Sequence, residues 1–300
     1  MKQVLSKVTM ACIADVQEAN ADAGPMWHAC PAFAVAENAC RVVSNEWVNR
    51  EYKHLVLDAP ATALNARPGQ FFHLACEAIE DETAFLRRPM SLYRVSRTAG
   101  HIEFLYKVQG AGTRGLARLE ANGMLDALGP VGRGFTLPEN ARHVLLLARG
   151  VGLATLAPLA EYAAAGGAKV TAVLSARSRN VVMSADYLRE VGAEVQIVTD
   201  EEQTSDVVSV ERLLRGCHAA SPFDLVTTCG SNRLLTLLQR LAAELEIAGQ
   251  IALEQHMGCA LGACYACVRP FRKQAGSDQL TYRRVCWEGP VFDLQETVSW

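Results

Sequence analysis

The sequence predicts a β plus α/β fold: a small antiparallel β-barrel, then a doubly wound parallel sheet, then a short cysteine-rich domain. Three observations carry this. Between Cys40 and Pro138, short segments of alternating polarity are separated by Gly, Pro and Asn. From Arg142 onward, apolar strands alternate with helical stretches, the pattern of a parallel sheet covered on both faces. Beyond Gln250 the periodicity is gone, and four of the ten cysteines are gathered in the last 42 residues.

In chain order, residues 1–38 have weak periodicity and many alanines, and Cys12, His28 and Cys30 match no metal spacing. They read as an extension without chemistry. Residues 39–138 form the expected barrel, with strands at Lys53–Leu57, Gln70–Leu74 and His101–Val108. Residues 139–250 form the expected α/β domain. Its strands are HVLLLA from His143, KVTAVLSA from Lys169, VQIVTD from Val195 and DLVTTCG from Asp224; its helices are Leu153–Ala165, Ala185–Val191 and Asn232–Glu246. Residues 251–300 are the cysteine-rich domain.

Composition excludes several classes of function. The 300 residues are half hydrophobic and a fifth charged, enough for two cores. The 29 basic and 32 acidic residues are scattered, so there is no footprint for nucleic acid. The most apolar region, His143–Ala165, is broken by Arg149, Gly150, Gly152, Pro158 and Glu161, and no membrane span is expected. The apolar patch Val8–Ala14 is too short for a secretory signal, so the reading is a soluble cytoplasmic protein. In that setting clustered cysteines point to metal rather than disulfides.

Cys259, Cys264 and Cys267 follow a C-x4-C-x2-C spacing, and 18 residues separate Cys267 from Cys286. A tight glycine-containing loop completed by one distant thiolate matches the plant-type [2Fe–2S] arrangement, with Gly258 and Gly262 relaxing the loop. Zinc is the main rival, although structural zinc sites usually pair two knuckles and only one is present here. Unligated thiols are the third reading.

Two stretches of the barrel suit a flavin. In Arg88-Pro89-Met90-Ser91-Leu92-Tyr93, an arginine at a strand end can hold a pyrophosphate bidentately while the Ser91 hydroxyl reaches a ring nitrogen. In Tyr106–Thr113, Gly110 and Gly112 with Thr113 let backbone N–H groups approach a phosphate, and GPVGRGF from Gly129 closes the region. Either stretch alone fits an ordinary barrel with glycine turns. Their order ahead of a nucleotide domain favours the flavin.

Gly150 and Gly152 sit where an apolar strand ends and a helix begins, the context in which a helix N-terminus receives a dinucleotide pyrophosphate. The next strand ends without an acid for a ribose 2′-hydroxyl. It offers Ser175, Arg177, Ser178 and Arg179, and Arg177 suits a 2′-phosphate, so NADP(H) stays open beside NAD(H).

The succession RPMSLY, YKVQGAGT, GPVGRGF, the turn at Gly150, CGS at Cys229–Ser231, EQHMGCALGACYACV and VCWEGPVFD covers residues 40–297. It resembles the electron-transfer subunits of heterodimeric dihydroorotate dehydrogenases, within the ferredoxin–NADP reductase superfamily. Met90 stands where the wider superfamily often has tyrosine, and Arg149 where the family usually has glycine.

The resemblance implies an NAD(P)H-dependent FAD/[2Fe–2S] oxidoreductase subunit. Arg88, Pro89 and Ser91 would contact FAD, Tyr106 would lie near the flavin, and Gly112 and Thr113 would hold its phosphates. Cys229 and Gly230 would lie by the nicotinamide, and the four tail cysteines would ligate the cluster. A catalytic dehydrogenase subunit carrying FMN or FAD would be the partner. Transhydrogenase-type and oxygenase-type reductases share the pattern, and a non-catalytic redox sensor is a further alternative. Tyr265 reads either as an interface aromatic or as a shield for the cluster. His54, His73, His101, His143 and His218 read as surface or satisfied core groups, as does His256 beside the cluster loop. Cys76 and Cys217 read as small buried hydrophobes.

Overall fold

A computed structural model describes residues 35–77 and 84–300. The expected extension, with Cys12, His28 and Cys30, lies outside them apart from residues 35–38. Part of that remainder is already barrel, because β1 (Ala36–Trp47) starts three residues inside the stretch assigned to the extension. The other barrel strands are β2 (Tyr52–Asp58), β3 (Phe71–Leu74), β4 (Arg88–Ser91), β5 (Arg94–Ser96), β6 (His101–Lys107) and β7 (Met124–Val131). Two short helices, α1 (Ala61–Leu64) and α2 (Ala111–Ala117), lie between them.

The strands pair antiparallel in the order β4-β3-β7-β1-β2-β6-β5. Leu92 donates its N–H to Gln70 and Tyr93 donates to Glu103, so the chain leaving β4 draws the two ends of the sheet together. Alternation sends Leu55, Leu57, Phe72, Leu74, Ile102 and Phe104 inward to one fully buried cluster. Tyr106 belongs to that cluster, and its hydroxyl donates to Asn45 Oδ1 at 3.0 Å. Asn45 Nδ2 in turn donates to the carbonyls of Leu116 and Leu119, at 2.8 and 3.1 Å, satisfying the C-terminal end of α2.

The second sheet is built from β8 (His143–Arg149), α3 (Gly152–Ala165), β9 (Lys169–Ala176), α4 (Ala185–Glu190), β10 (Glu194–Thr199), α5 (Val207–Ala220), β11 (Leu225–Cys229), α6 (Asn232–Glu244) and β12 (Ala248–Ala252). Leu145 and Leu147 of β8 pack with α5 and α6, whereas Val144, Leu146 and Ala148 pack with α3 and α4. Both faces are covered, which is why β8 reads as an unbroken apolar run. The sequence reading did not include α5. Its start is marked by Asp206, whose carboxylate accepts the N–H groups of Val208 and Ser209.

Past residue 250 the chain is more ordered than its sequence pattern suggests. β12 straddles the expected boundary, and the chain then forms a hairpin of β13 (Val268–Arg272) and β14 (Leu280–Arg284) followed by α7 (Val285–Glu288). It returns as β15 (Val291–Asp293), antiparallel to β12. The cysteine-rich segment is thus tied to the parallel sheet at both ends, and the rings of Phe271 and Phe292 pack 4.3 Å apart beneath it.

The Asn45 bridge sets a quantitative expectation. Asn45→Ala takes the side-chain donor from the carbonyls of Leu116 and Leu119 and the acceptor from the Tyr106 hydroxyl, and is expected to lower unfolding stability by about 2–4 kcal/mol. Tyr106→Phe loses one of those bonds and is expected to lower it by about 1 kcal/mol. Denaturant unfolding of the two variants measures the difference, and equal effects would contradict the bridge.

Candidate functional site

The order of the parallel sheet is β10-β9-β8-β11-β12, with β15 at the edge. The chain builds outward from β8 in one direction and from β11 in the other, so the crevice beyond their C-terminal ends is the topological switch point where such sheets take ligands. Gly150 and Gly152 leave β8 there, and Cys229 and Gly230 leave β11. The two turns touch through their backbones. A Cβ on Gly152 would stand 2.5 Å from the carbonyl oxygen of Cys229, and one on Gly230, whose φ is +92°, would stand 2.5 Å from that of Arg149.

The barrel closes the crevice from the other side. Thr155 of α3 donates its hydroxyl to Ser91 Oγ at 2.8 Å and also bonds the Cys229 thiol, so two residues singled out from sequence meet through a third that was not. Burial raises the Cys229 thiol well above the ordinary range, and it stays protonated. The Tyr52 hydroxyl lies 3.7 Å from the Cβ position of Gly150. Tyr93 and Ser184 share a hydrogen bond of 2.7 Å across the same junction.

Glu254, two residues beyond β12, was read only as the first residue of the cysteine-rich stretch. Its charge is close enough to Cys229 and Tyr52 to raise both, and desolvation raises its own pKa. It brings a carboxylate to the crevice.

On the barrel side, Arg88 begins β4 rather than ending a strand. Its side chain crosses the first turn of α2, where a Cβ on Gly112 would meet Arg88 Nε at 2.8 Å and Cζ at 3.1 Å. The guanidinium is steadied by the carbonyl of Leu86 at 2.6 Å, and Pro89 follows it in β4. Arg88 therefore lies against the first turn of α2, a contact that an alanine at Gly112 would disturb.

One expectation is corrected here. Tyr106 is 1% exposed within the barrel core and supports α2 through Asn45, so it presents no surface to a flavin ring. The Thr113 hydroxyl is engaged by its own turn, accepting from the N–H groups of Gln109 and Gly110 and donating to the Gly110 carbonyl, each at 3.0 Å. It shapes the loop rather than reaching out of it.

Arg177 is likewise engaged: it pairs with Glu51 of the barrel, which also holds Lys107 at 3.1 Å. Among the histidines, His54 pairs with Glu103, His143 bonds Ser221 and Thr171, and His218 accepts from Phe223. His73 departs from expectation. It is buried, its Nε2 has no partner among the described residues, and burial reinforced by Arg87 lowers its pKa to about 4. Cys76 and Cys217 are half-buried.

The four tail cysteines come together as two pairs. Cys259 Sγ faces Cys264 and accepts the N–H groups of Leu261 and Cys264, at 3.3 and 3.4 Å. Burial raises its pKa, but these N–H groups outweigh burial and bring it below the ordinary value. Cys267 and Cys286 share a hydrogen bond that lowers the first thiol to about 6 and raises the second. The Cys286 N–H also points at Cys267 Sγ, at 3.4 Å. One pair is buried, while Cys264 of the other is exposed.

The loop is wound to allow this. Ala260, Gly262 and Tyr265 all have φ between +58° and +75°, and a Cβ on Gly262 would press on the Trp287 ring at 3.0 Å. Arg284, absent from the sequence reading, pins it: Nη1 donates to the Gly262 carbonyl at 2.9 Å, the guanidinium pairs with Glu288 at 2.6 Å, and it lies 5.2 Å over the Tyr265 ring.

A family model for the iron–sulfur cluster binding domain of dihydroorotate dehydrogenase B matches residues 254–298, and one for an oxidoreductase FAD-binding domain matches residues 39–135. The electron transfer subunit of dihydroorotate dehydrogenase B (NAD(+)) from Desulforamulus reducens is 33% identical over 245 residues, covering 82% of this chain and 92% of the relative. The chain belongs to this family. The corresponding subunit from Shouchella clausii is 33% identical over 265 residues, covering 86% and 96%.

An NADH-dependent reduced ferredoxin–NADP oxidoreductase matches in fold at a TM-score of 0.69 and 22% identity, covering 86% of this chain and 88% of that one. The ferredoxin reductase of carbazole 1,9a-dioxygenase matches at 0.58 and 19%, covering 72% and 68%.

The residues fit the groups that this family carries. Among the described residues, no three His, Cys, Asp or Glu side chains gather around a single ion position. Two thiol pairs suit a two-iron cluster better than one tetrahedral zinc. The Arg88–Gly112 cradle at the mouth of the crevice fits an FAD diphosphate.

Arg88→Ala is expected to weaken FAD retention by about one to two decades, the loss of one charge-assisted contact, with Gly112→Ala acting in the same direction. Flavin absorbance after exhaustive dialysis reads this directly, and unchanged retention in both variants would remove the cradle.

Proposed function

We propose that this chain passes electrons between NAD(H) and a catalytic dehydrogenase subunit, as the electron transfer component of a cytoplasmic dihydroorotate dehydrogenase complex. In this reading Arg88, Pro89, Ser91, Gly110 and Gly112 hold FAD, Gly150 and Gly152 receive the dinucleotide, and Cys229 and Gly230 border the nicotinamide. Cys259, Cys264, Cys267 and Cys286 ligate the [2Fe–2S] cluster. The functional divisions remain 39–138, 139–250 and 251–300.

FAD held there would supply the exchange between paired and single electrons, and a cluster on the four thiols would supply one-electron transfer. The chain's own residues do the positioning. Gly152 and Gly230 bring two turns close enough to share one ligand, and Thr155 locks Ser91 of the barrel to that junction. Among the described residues no helix is long and apolar enough to cross a membrane.

The observation that carries the reading is continuity. β11 ends at Cys229 in the crevice, Ala252 pairs beside it, and the chain runs directly from Ala252 through Glu254 to Cys259. The crevice and the thiol loop are neighbours along one short segment.

The loop itself is the partner surface in this reading. Leu261 and Tyr265 on it are exposed, as is Cys264. Large apolar side chains exposed on a thiol loop suit a protein contact.

The purified chain is expected to contain FAD with iron and acid-labile sulfide in equal amounts, and to turn over dihydroorotate or orotate only after the dehydrogenase subunit is added. Stoichiometric zinc without iron, or full turnover by the chain alone, would overturn the reading.

A further inference from the structure

Sequence leaves the choice of nucleotide open because β9 ends in arginines and not in an acid. The structure puts the acids one strand further on. β10 runs parallel to β9 with Thr199 beside Ala176, and past the strand ends the N–H groups of Asp200 and Glu201 donate to the carbonyls of Ala176 and Arg177, both at 3.0 Å. Asp200, Glu201 and Glu202 therefore lie along the ledge formed by Arg177, Ser178 and Arg179, where a sheet of this kind meets the adenosine ribose.

Four guanidinium groups on or beside this ledge already have carboxylate partners. Arg149 makes a forked pair with Asp200, at 2.7 and 3.2 Å, and Arg233 approaches the same carboxylate at 3.5 Å. Arg177 pairs with Glu51, and Arg179 Nε with Glu202 Oε1. Glu202 is also fixed from beneath: the fully buried Thr199 donates its hydroxyl to Glu202 Oε2 at 3.0 Å and accepts the Glu202 N–H at 3.2 Å.

We infer that Glu202 is the nucleotide-selecting residue of this chain, accepting the adenosine ribose 2′-hydroxyl of NAD(H) and rejecting the 2′-phosphate of NADP(H). The inference rests on the proposed placement of the dinucleotide at Gly150 and Gly152. Each carboxylate oxygen of Glu202 uses one lone pair on its present partner and keeps another for a hydroxyl donor. A 2′-phosphate is acceptor-only and doubly charged at neutral pH, and finds Arg179 already neutralised with Glu201 and Glu202 alongside. Arg177 and Arg179 thus order the acidic turn and do not serve as phosphate receptors.

The test is calorimetric titration of the flavin-loaded full chain with ADP-ribose and with 2′-phospho-ADP-ribose, ligands that bind without electron transfer. The parent protein is expected to bind ADP-ribose at least about tenfold more tightly. Glu202→Gln, whose amide oxygen can still accept from Thr199 while the charge is lost and Arg179 is freed, should narrow that gap by about tenfold. Arg179→Ala, which unmasks the carboxylate, should widen it. An unchanged gap in Glu202→Gln overturns the inference, as does a parent that prefers the phosphorylated ligand and loses that preference in Arg179→Ala. Absence of ADP-ribose binding contradicts the nucleotide reading itself, whereas binding that is blind to Glu202 contradicts only its selecting role.

Discussion

Two strand-to-helix turns can share one ligand only if their backbones come within touching distance, and here that approach depends on the absence of two side chains. Gly152 faces the carbonyl of Cys229, and Gly230 faces that of Arg149, each with no room for a methyl group. The parallel pairing of β8 with β11 brings the strand ends side by side, but only glycine lets the turns close. The rest of the molecule is arranged around that contact. α3 begins at Gly152 and carries Thr155 to the barrel, while β11 carries Cys229 to the same point and lies beside β12, from which the thiol loop departs.

The thiol loop meets a different constraint, the mutual repulsion of thiolates. Backbone N–H groups aimed at Cys259 and Cys267 lower the cost of their charge, and the hydrogen bond between Cys267 and Cys286 keeps a proton within the buried pair. That arrangement requires residues with positive φ in the loop, a conformation that Ala260 and Tyr265 adopt against their preference. Its compensation comes from outside the loop. Arg284 grips the Gly262 carbonyl and the Tyr265 ring from the end of β14, and the pairing of β15 with β12 returns the chain to the main sheet.

Much of this was legible in the sequence. The apolar runs of β8 and β9, the helix after Gly150 and the cysteine spacing are local signals, and local signals survive the removal of tertiary context. What was not legible depends on contacts between distant segments. Tyr106 looked like a ring available to a flavin, since nothing local says that its hydroxyl meets Asn45, 61 residues away. Nor does anything local say that the Thr113 hydroxyl holds its own turn. The missing ribose acid was sought at the end of β9, whereas the acids sit after β10, which only the parallel register brings alongside. Thr155 and Arg284 carried no signal at all, because neither belongs to a recognisable spacing.

The central claim is that nucleotide, flavin and cluster sites on this one chain are electrically connected. Anaerobic titration of the purified protein with NADH, followed by low-temperature electron paramagnetic resonance, tests it most directly. The account predicts that flavin bleaching is accompanied by the signal of a reduced two-iron cluster, and that Cys264→Ser removes the signal while leaving the bleaching. A flavin that bleaches while an intact cluster stays oxidised would contradict it.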